Sequence, residues 1–591
     1  IGFFEESRKL FDEHHDRLQQ YGIINRWDLQ PKDMDKYLAG ELVEPVKPIV
    51  WYVDPAIPEK WRKYVKLGIA DWNIAFEAIG FKNAIVVKDY PTDDPNFDPD
   101  DIHYNCYRFV ASTRENSMGP SWIDPRSGEI LCGDVISWYG VVTLLNKWRM
   151  IQTGAVDPSV RCPVMTDENM GEAMRYVAAH EIGHTLGLMH NMKASHAFPV
   201  DSLRSASFTR KYGTTPSIMD YARFNYVAQP GDEGVKLTPP EIGVYDEYVI
   251  KWLYSPVAGK KTVEEEAEFV REWVDEKAGD PMYCYGQQQM FVTYDPGALS
   301  EDLGDDPIKS ATYGIKNLKY VVANIDNWLD KDDKDYSFRD YFYYTTLNQL
   351  QLYLRHVDVL IGGIYLNERY VGDPRPSYQS VPKAKQKEAV QFLLKAQEDM
   401  AWLDNETYFK NISIVGSIAN HMQVYTMANL INGTKRLALC ADKSDDPYTE
   451  KEYLQDIYDY VWKSTIKRRN LTEAEIVAQR EFVNSMIAKS NVETGQQADR
   501  VSGWGIANQP SVEEWLAIQM YQKFGYRSPF GQPEGQQPVA SVGFQRMVDG
   551  HFSSMAPTFY FFLEKCQTLL EQAKNTGDEN TRSHYALMLQ T

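Results

Sequence analysis

The chain has 591 residues, more than one hydrophobic core serves, so two or more domains are expected. Its 38 Tyr, 24 Phe and 14 Trp supply the bulk of packed cores and exclude a largely disordered chain. The 62 basic and 83 acidic residues leave a net charge of −21, which repels nucleic acid and anionic membrane, and no run of about 18 apolar residues is present to span a bilayer.

Residues 1–44 read as a helical, charge-rich lead-in that tethers onto the next domain, because Phe3, Phe4, Leu10, Phe11 and Leu18 recur at roughly helical spacing. A Pro-containing boundary at 44–48 ends it. The pattern then changes. Residues 49–53 form a short buried strand closed by Asp54 and Pro55. Pro58 opens a helix whose apolar stripe runs through Trp61, Val65, Ile69, Trp72 and Phe76 to Gly80. Residues 84–87 and 104–110 read as further strands. Between them lies an acidic, Pro-interrupted loop over 93–101, expected to be solvated in preference to a calcium site. Residues 124–128 form a turn between two strands, and 128–138 is the candidate edge strand for pairing with extended peptide, its alternative being an ordinary inner hairpin.

Helices are expected over 141–153 and 172–188, and the second carries the chemistry. His180 and His184 stand four apart, so they share one helix face and can reach one ion. Glu181 can project to the open side of that ion and take a proton from water. Gly187 tolerates the φ > 0 turn that ends a helix and brings His190 back as a third ligand. Three neutral imidazoles leave a tetrahedral Zn²⁺ one position for water, which is the catalytic arrangement. A helix from Ile242 to Tyr254 follows a Pro-Pro-Glu start.

From residue 259 to 591 the chain turns helical and aromatic, with helices over 338–364, 384–403, 417–439, 450–462 and 473–488. The acidic loop 330–335 resembles a calcium-binding EF-hand only superficially, since Lys334 holds a ligand position and Tyr341 replaces the bidentate Glu. No phosphate-cradling or dinucleotide Gly-rich fingerprint is present. The region is expected to be a helical scaffold. The six cysteines form no Cys-x-x-Cys pattern, and a Cys132–Cys162 disulfide is compatible with the sequence without being required. Sequons at Asn405, Asn411, Asn432 and Asn470 matter only in a eukaryotic secretory pathway.

The run His180-Glu181-Ile182-Gly183-His184-Thr185-Leu186-Gly187-Leu188-Met189-His190, followed by the Met-turn Ser217-Ile218-Met219-Asp220-Tyr221, resembles the metzincin zinc proteases over about residues 48–258. More closely, the chain is similar to large zinc metalloproteases of Bacteroidetes-type bacteria, through residues 49–61, 124–131 and 301–307. The resemblance implies an α+β fold: a metzincin-like domain over 45–258, with a twisted mixed sheet and an active-site helix, then a mostly helical domain over 259–591. It implies zinc ligands His180, His184 and His190, Glu181 as base and acid, and Met219 as an apolar floor under the metal. Tyr221 occupies a metal-proximal position, where it either stabilises an oxyanion or simply packs. Asn191 departs from the better-known branches. The expected function is zinc-dependent endopeptidase action on protein or peptide substrates. The alternatives are a surface-binding or adhesion protein with a vestigial or structural zinc site, and hydrolysis of a non-peptide amide. A secreted, periplasmic or cell-surface location is expected from the same resemblance. The start at Ile1, without Met or leader, is as expected of a trimmed or processed product.

Overall fold

A computed structural model describes residues 1–490 and 556–591, apart from 12, 14, 15, 17, 92, 261, 290–292, 330–332, 368–374, 407–409 and 411–415. The sequon at Asn411 and the first half of the acidic loop 330–335 lie outside the described residues. The chain divides into two compact units. Of the described residues, the first holds those in 1–288 and 297–347, and the second those in 289–296, 348–490 and 556–591.

Residues 1–44 are not the helical lead-in that apolar spacing suggested. Strands β1 (Glu5–Leu10) and β2 (Gln19–Ile24) pair as an antiparallel hairpin, and only α1 (Met34–Leu38) is helical. The reason is tertiary. Phe4 donates its backbone N–H to Gly187 (2.8 Å) and accepts from Asn25 (2.9 Å), so long-range pairing decides the conformation over local spacing. The segment also belongs to the first unit instead of standing apart as a tether.

The first unit is built on six strands in the order β4-β3-β5-β8-β6, with β7 also on β8. Strands β3 (Ile49–Val53), β4 (Ile85–Asp89), β5 (Asn105–Val110) and β8 (Ile130–Trp138) run parallel, while β6 (Ser117–Met118) and β7 (Ser121–Ile123) lie antiparallel on β8. Segment 128–138 is therefore an inner strand, and the expected edge role falls to β6 and β7. β8 pairs with β5 on one side and with β6 and β7 on the other.

Helices α2 (Glu59–Ala70) and α3 (Asn73–Ala78) return the chain from β3 to β4, placing Trp61, Val65, Ile69, Trp72 and Phe76 in one core. Helices α4 (Gly140–Thr153) and α5 (Asp167–Thr185) follow the sheet. α5 starts five residues earlier than expected, where Thr166 caps it by accepting from Asn169 N–H, and it adds Ala173, Val177, Ala178 and Ile182 to that core. After α6 (Ala206–Tyr212), helix α7 (Val244–Tyr254) closes the region expected to be the whole catalytic domain.

The unit continues past 258. Asn317, on the helix Pro307–Leu329, donates to the carbonyls of Tyr226 (2.9 Å) and Ala228 (2.8 Å), and Arg223 pairs with Glu301 at 3.1 Å. These polar links leave no hydropathy signal.

The second unit is mainly helical, with a short antiparallel pair, Ile364–Leu366 and Tyr378–Ser380. Expected helices appear at Lys383–Glu398, Glu450–Val461 and Glu473–Lys489, while 417–439 breaks into Ile418–Asn432 and Thr434–Asp442. Among the described residues no helix is long and apolar enough to cross a membrane, and Cys132 and Cys162 are not joined in a disulfide. The fold is α+β with a large helical region.

Candidate metal centre

Helix α5 delivers His180, Glu181 and His184, the first two buried, and Gly187 ends the motif with φ +94°. That turn sends the chain back so that His190 faces the other two. The helix end is fully served. Trp27 Nε1 donates to Thr185 O (2.9 Å), Tyr254 Oη to Leu186 O (2.8 Å) and Leu188 N to Gly183 O (3.1 Å).

The three rings converge through Nε2. His180 Nε2 lies 3.2 Å and His184 Nε2 3.0 Å from His190 Nε2, and this is the one cluster of metal-ligating groups among the described residues. The other nitrogens face acceptors: His180 Nδ1 meets Ile218 O at 2.8 Å, His184 Nδ1 meets Leu188 O at 2.9 Å, and His190 Nδ1 meets Gln288 Oε1 at 3.0 Å. A carbonyl oxygen only accepts, so these Nδ1 atoms carry the protons and the Nε2 atoms are bare lone pairs. Lone pairs held so close repel unless a cation sits between them. Tetrahedral zinc, with Zn–N near 2.0–2.1 Å, fits that spacing.

Burial pushes His184 down to about 4 and holds His180 and His190 well below the ordinary histidine range. The ligands are therefore neutral at pH 7, as metal binding needs.

Met219 lies under the helix. A Cβ on Gly183 would fall 2.3 Å from Met219 Sδ and 2.7 Å from Trp72 Cζ2, so any side chain here would displace Met219 or Trp72. The Met-turn is pinned by Asp246, which accepts from Ser217 Oγ (2.6 Å), Ile218 N (2.8 Å) and Gly243 N (2.8 Å). Burial raises its carboxyl to about 7, against those three donors. The Tyr221 ring sits 4.4 Å from the His190 ring and 5.4 Å from that of His180, with the Arg223 guanidinium 4.2 Å from its centroid.

The Met-zincin family model matches residues 163–469, slightly more than half of the chain. The chain belongs to the Met-zincin family. This Met-zincin is of the zinc metallopeptidase type, and zinc is the metal of its three-histidine site. The match runs through the motif and Met-turn into the helical region, so that region is not foreign to the family. No curated protein and no solved structure matches the chain.

The structure brings His180, His184, His190, Met219 and Tyr221 together, with Glu181 on the same helix. Other candidates do not join them. In the acidic loop, Asp94, Asp98 and Asp101 accept from the backbone N–H two residues on, at 2.9 Å each, as turn formers do. Asp333 accepts from Phe338 N (3.0 Å) and Arg339 N (2.9 Å). Sequence reasoning missed Asp246, Arg223 and Gln288. Asn191 was the only pointer towards the last of these.

Proposed function

We propose that this chain is a zinc-dependent endopeptidase in which His180, His184 and His190 hold the metal and Glu181 is the base. The observation that carries this is the three bare Nε2 atoms facing one another, with a buried glutamate following His180 on the same helix. Zinc held there supplies a Lewis acid for the scissile carbonyl and lowers the pKa of water from 15.7 to roughly 7. Glu181 takes the proton released as water attacks and returns it to the leaving amine. Tyr221, steadied by Arg223, donates a hydrogen bond from its O–H to the developing oxyanion. The antiparallel edge formed by β6 and β7, with Trp122 exposed on it, offers backbone groups to an extended substrate. An extracytoplasmic site of action is part of the proposal and rests on the resemblance to exported proteases.

Digestion of a peptide library with and without a zinc chelator tests this reading. Internal cleavage that stops with chelator and returns with added zinc is expected. A chain that holds zinc but yields no peptide products would favour the binding-protein or non-peptide-amide alternative.

A further inference from the structure

Two of the three ligand histidines orient their Nδ1 protons on main-chain carbonyls, those of Ile218 and Leu188. The third does not. His190 Nδ1 lies 3.0 Å from the side-chain Oε1 of Gln288, 98 residues downstream and thirty residues beyond the end of the expected catalytic domain.

The segment carrying Gln288 is anchored at the residue next to the ligand. Asn191 is fully buried. Its Nδ2 donates to Cys284 O (2.9 Å), and its Oδ1 accepts from Gly286 N (3.0 Å). Met192 N donates to Gly286 O (2.9 Å), so residues 284–286 are hydrogen-bonded to 191–192 on both sides. The approach is close. A Cβ on Gly286 would fall 2.7 Å from Lys193 Cβ and 2.9 Å from Ala298 Cβ. The asparagine that departs from the better-known metzincin pattern thus has a structural task.

We propose that Gln288 is a positioning residue of the metal centre. Its amide oxygen accepts the Nδ1 proton of His190 and so selects the tautomer whose Nε2 lone pair faces zinc, while Asn191 pins the segment that presents it. A neutral imidazole has two tautomers, and the one protonated on Nε2 cannot ligate through that atom; an acceptor at Nδ1 disfavours it and fixes the ring plane. Partners of this kind change metal affinity by roughly 10–100-fold. The inference rests on the metal-centre reading above.

The test is the zinc dissociation constant of the full chain, measured by competition with a chromophoric chelator, for wild type, Gln288→Leu and Gln288→Glu. Leucine keeps bulk without an acceptor, and glutamate keeps an acceptor. Gln288→Leu is expected to bind zinc roughly 10–100-fold more weakly, with Gln288→Glu within a few-fold of wild type. Asn191→Leu is expected to weaken zinc binding as Gln288→Leu does. Unchanged affinity in Gln288→Leu overturns the proposal. So does an equal loss in Gln288→Leu and Gln288→Glu when both metal-stripped proteins melt like wild type, because packing, not hydrogen bonding, would then be at stake. If Gln288→Leu does not fold, Gln288→Glu decides alone: affinity within a few-fold of wild type supports the acceptor role, and a tenfold loss in a normally folded protein overturns it. Wild type that binds no zinc overturns the metal-centre reading itself.

Discussion

The two units differ in what their buried side chains converge on. In the first, side chains reach across irregular segments to fix backbone: Asn225 donates to Leu203 O and Lys236 O, Asp220 accepts from Ser195 N, and Asp246 holds the Met-turn. In the second, regular helices bury apolar and aromatic faces, as where Tyr458 meets Trp462, Phe482 and Phe562 with ring centroids 6.0–6.2 Å away. Its described residues contain no cluster of metal ligands. Irregular backbone can aim side chains at a point, but it must be pinned group by group. Helices satisfy most of their own backbone, and their buried polar side chains serve helix ends and turns, as where Gln479 donates to Val461 O at 3.1 Å.

That contrast yields graded expectations. The largest effect falls on the site: His184→Ala removes one of three ligands and is expected to abolish both zinc retention and peptide cleavage, read by metal analysis and a fluorogenic peptide. Next is the helical core. Trp462 is fully buried, and Trp462→Ala is expected to cost about 3–5 kcal/mol in denaturant unfolding while zinc stays at one per chain. Loss of zinc in that variant would break the contrast. Tyr221→Phe is expected to lower kcat by up to roughly 10²-fold with little change in KM; unchanged kcat would reduce Tyr221 to a packing residue.

The smallest expected effect is on acid stability. Burial pushes His184 and His584, one in each unit, down to about 4. Below the ordinary histidine value of about 6.5 the unfolded chain takes up protons that these folded sites refuse. Their contribution is therefore complete above about pH 6.5 and drains away as pH falls towards 4. Melts of the metal-stripped protein at pH 7.5 and 5 are expected to show losses in both units. Zinc should restore the first unit only, since its ligands remain neutral in the fold at pH 5. Equal restoration in both units would contradict this.

The ligand set was legible because its spacing is local: four residues on a helix, then a glycine turn. Segment 217–221 was picked out by resemblance, and most helices of the second unit by apolar stripes that recur every third or fourth residue. The hairpin of residues 5–24 was not, because its conformation is fixed by partners such as Gly187 far along the chain. The inner position of Ile130–Trp138 depends on which strands flank it, which the strand itself does not encode. The reach of the first unit to Leu347 depends on Asn317, Glu301 and Gln288. Each acts through the polar end of one side chain, with no periodicity to betray it.

The central claim is tested most directly by Glu181→Gln, with zinc stoichiometry and peptide cleavage measured on the same preparation. One zinc per chain with cleavage reduced by roughly 10²–10⁴-fold is the expected result. Cleavage at the wild-type rate with zinc still bound would contradict the assignment of Glu181 as the base.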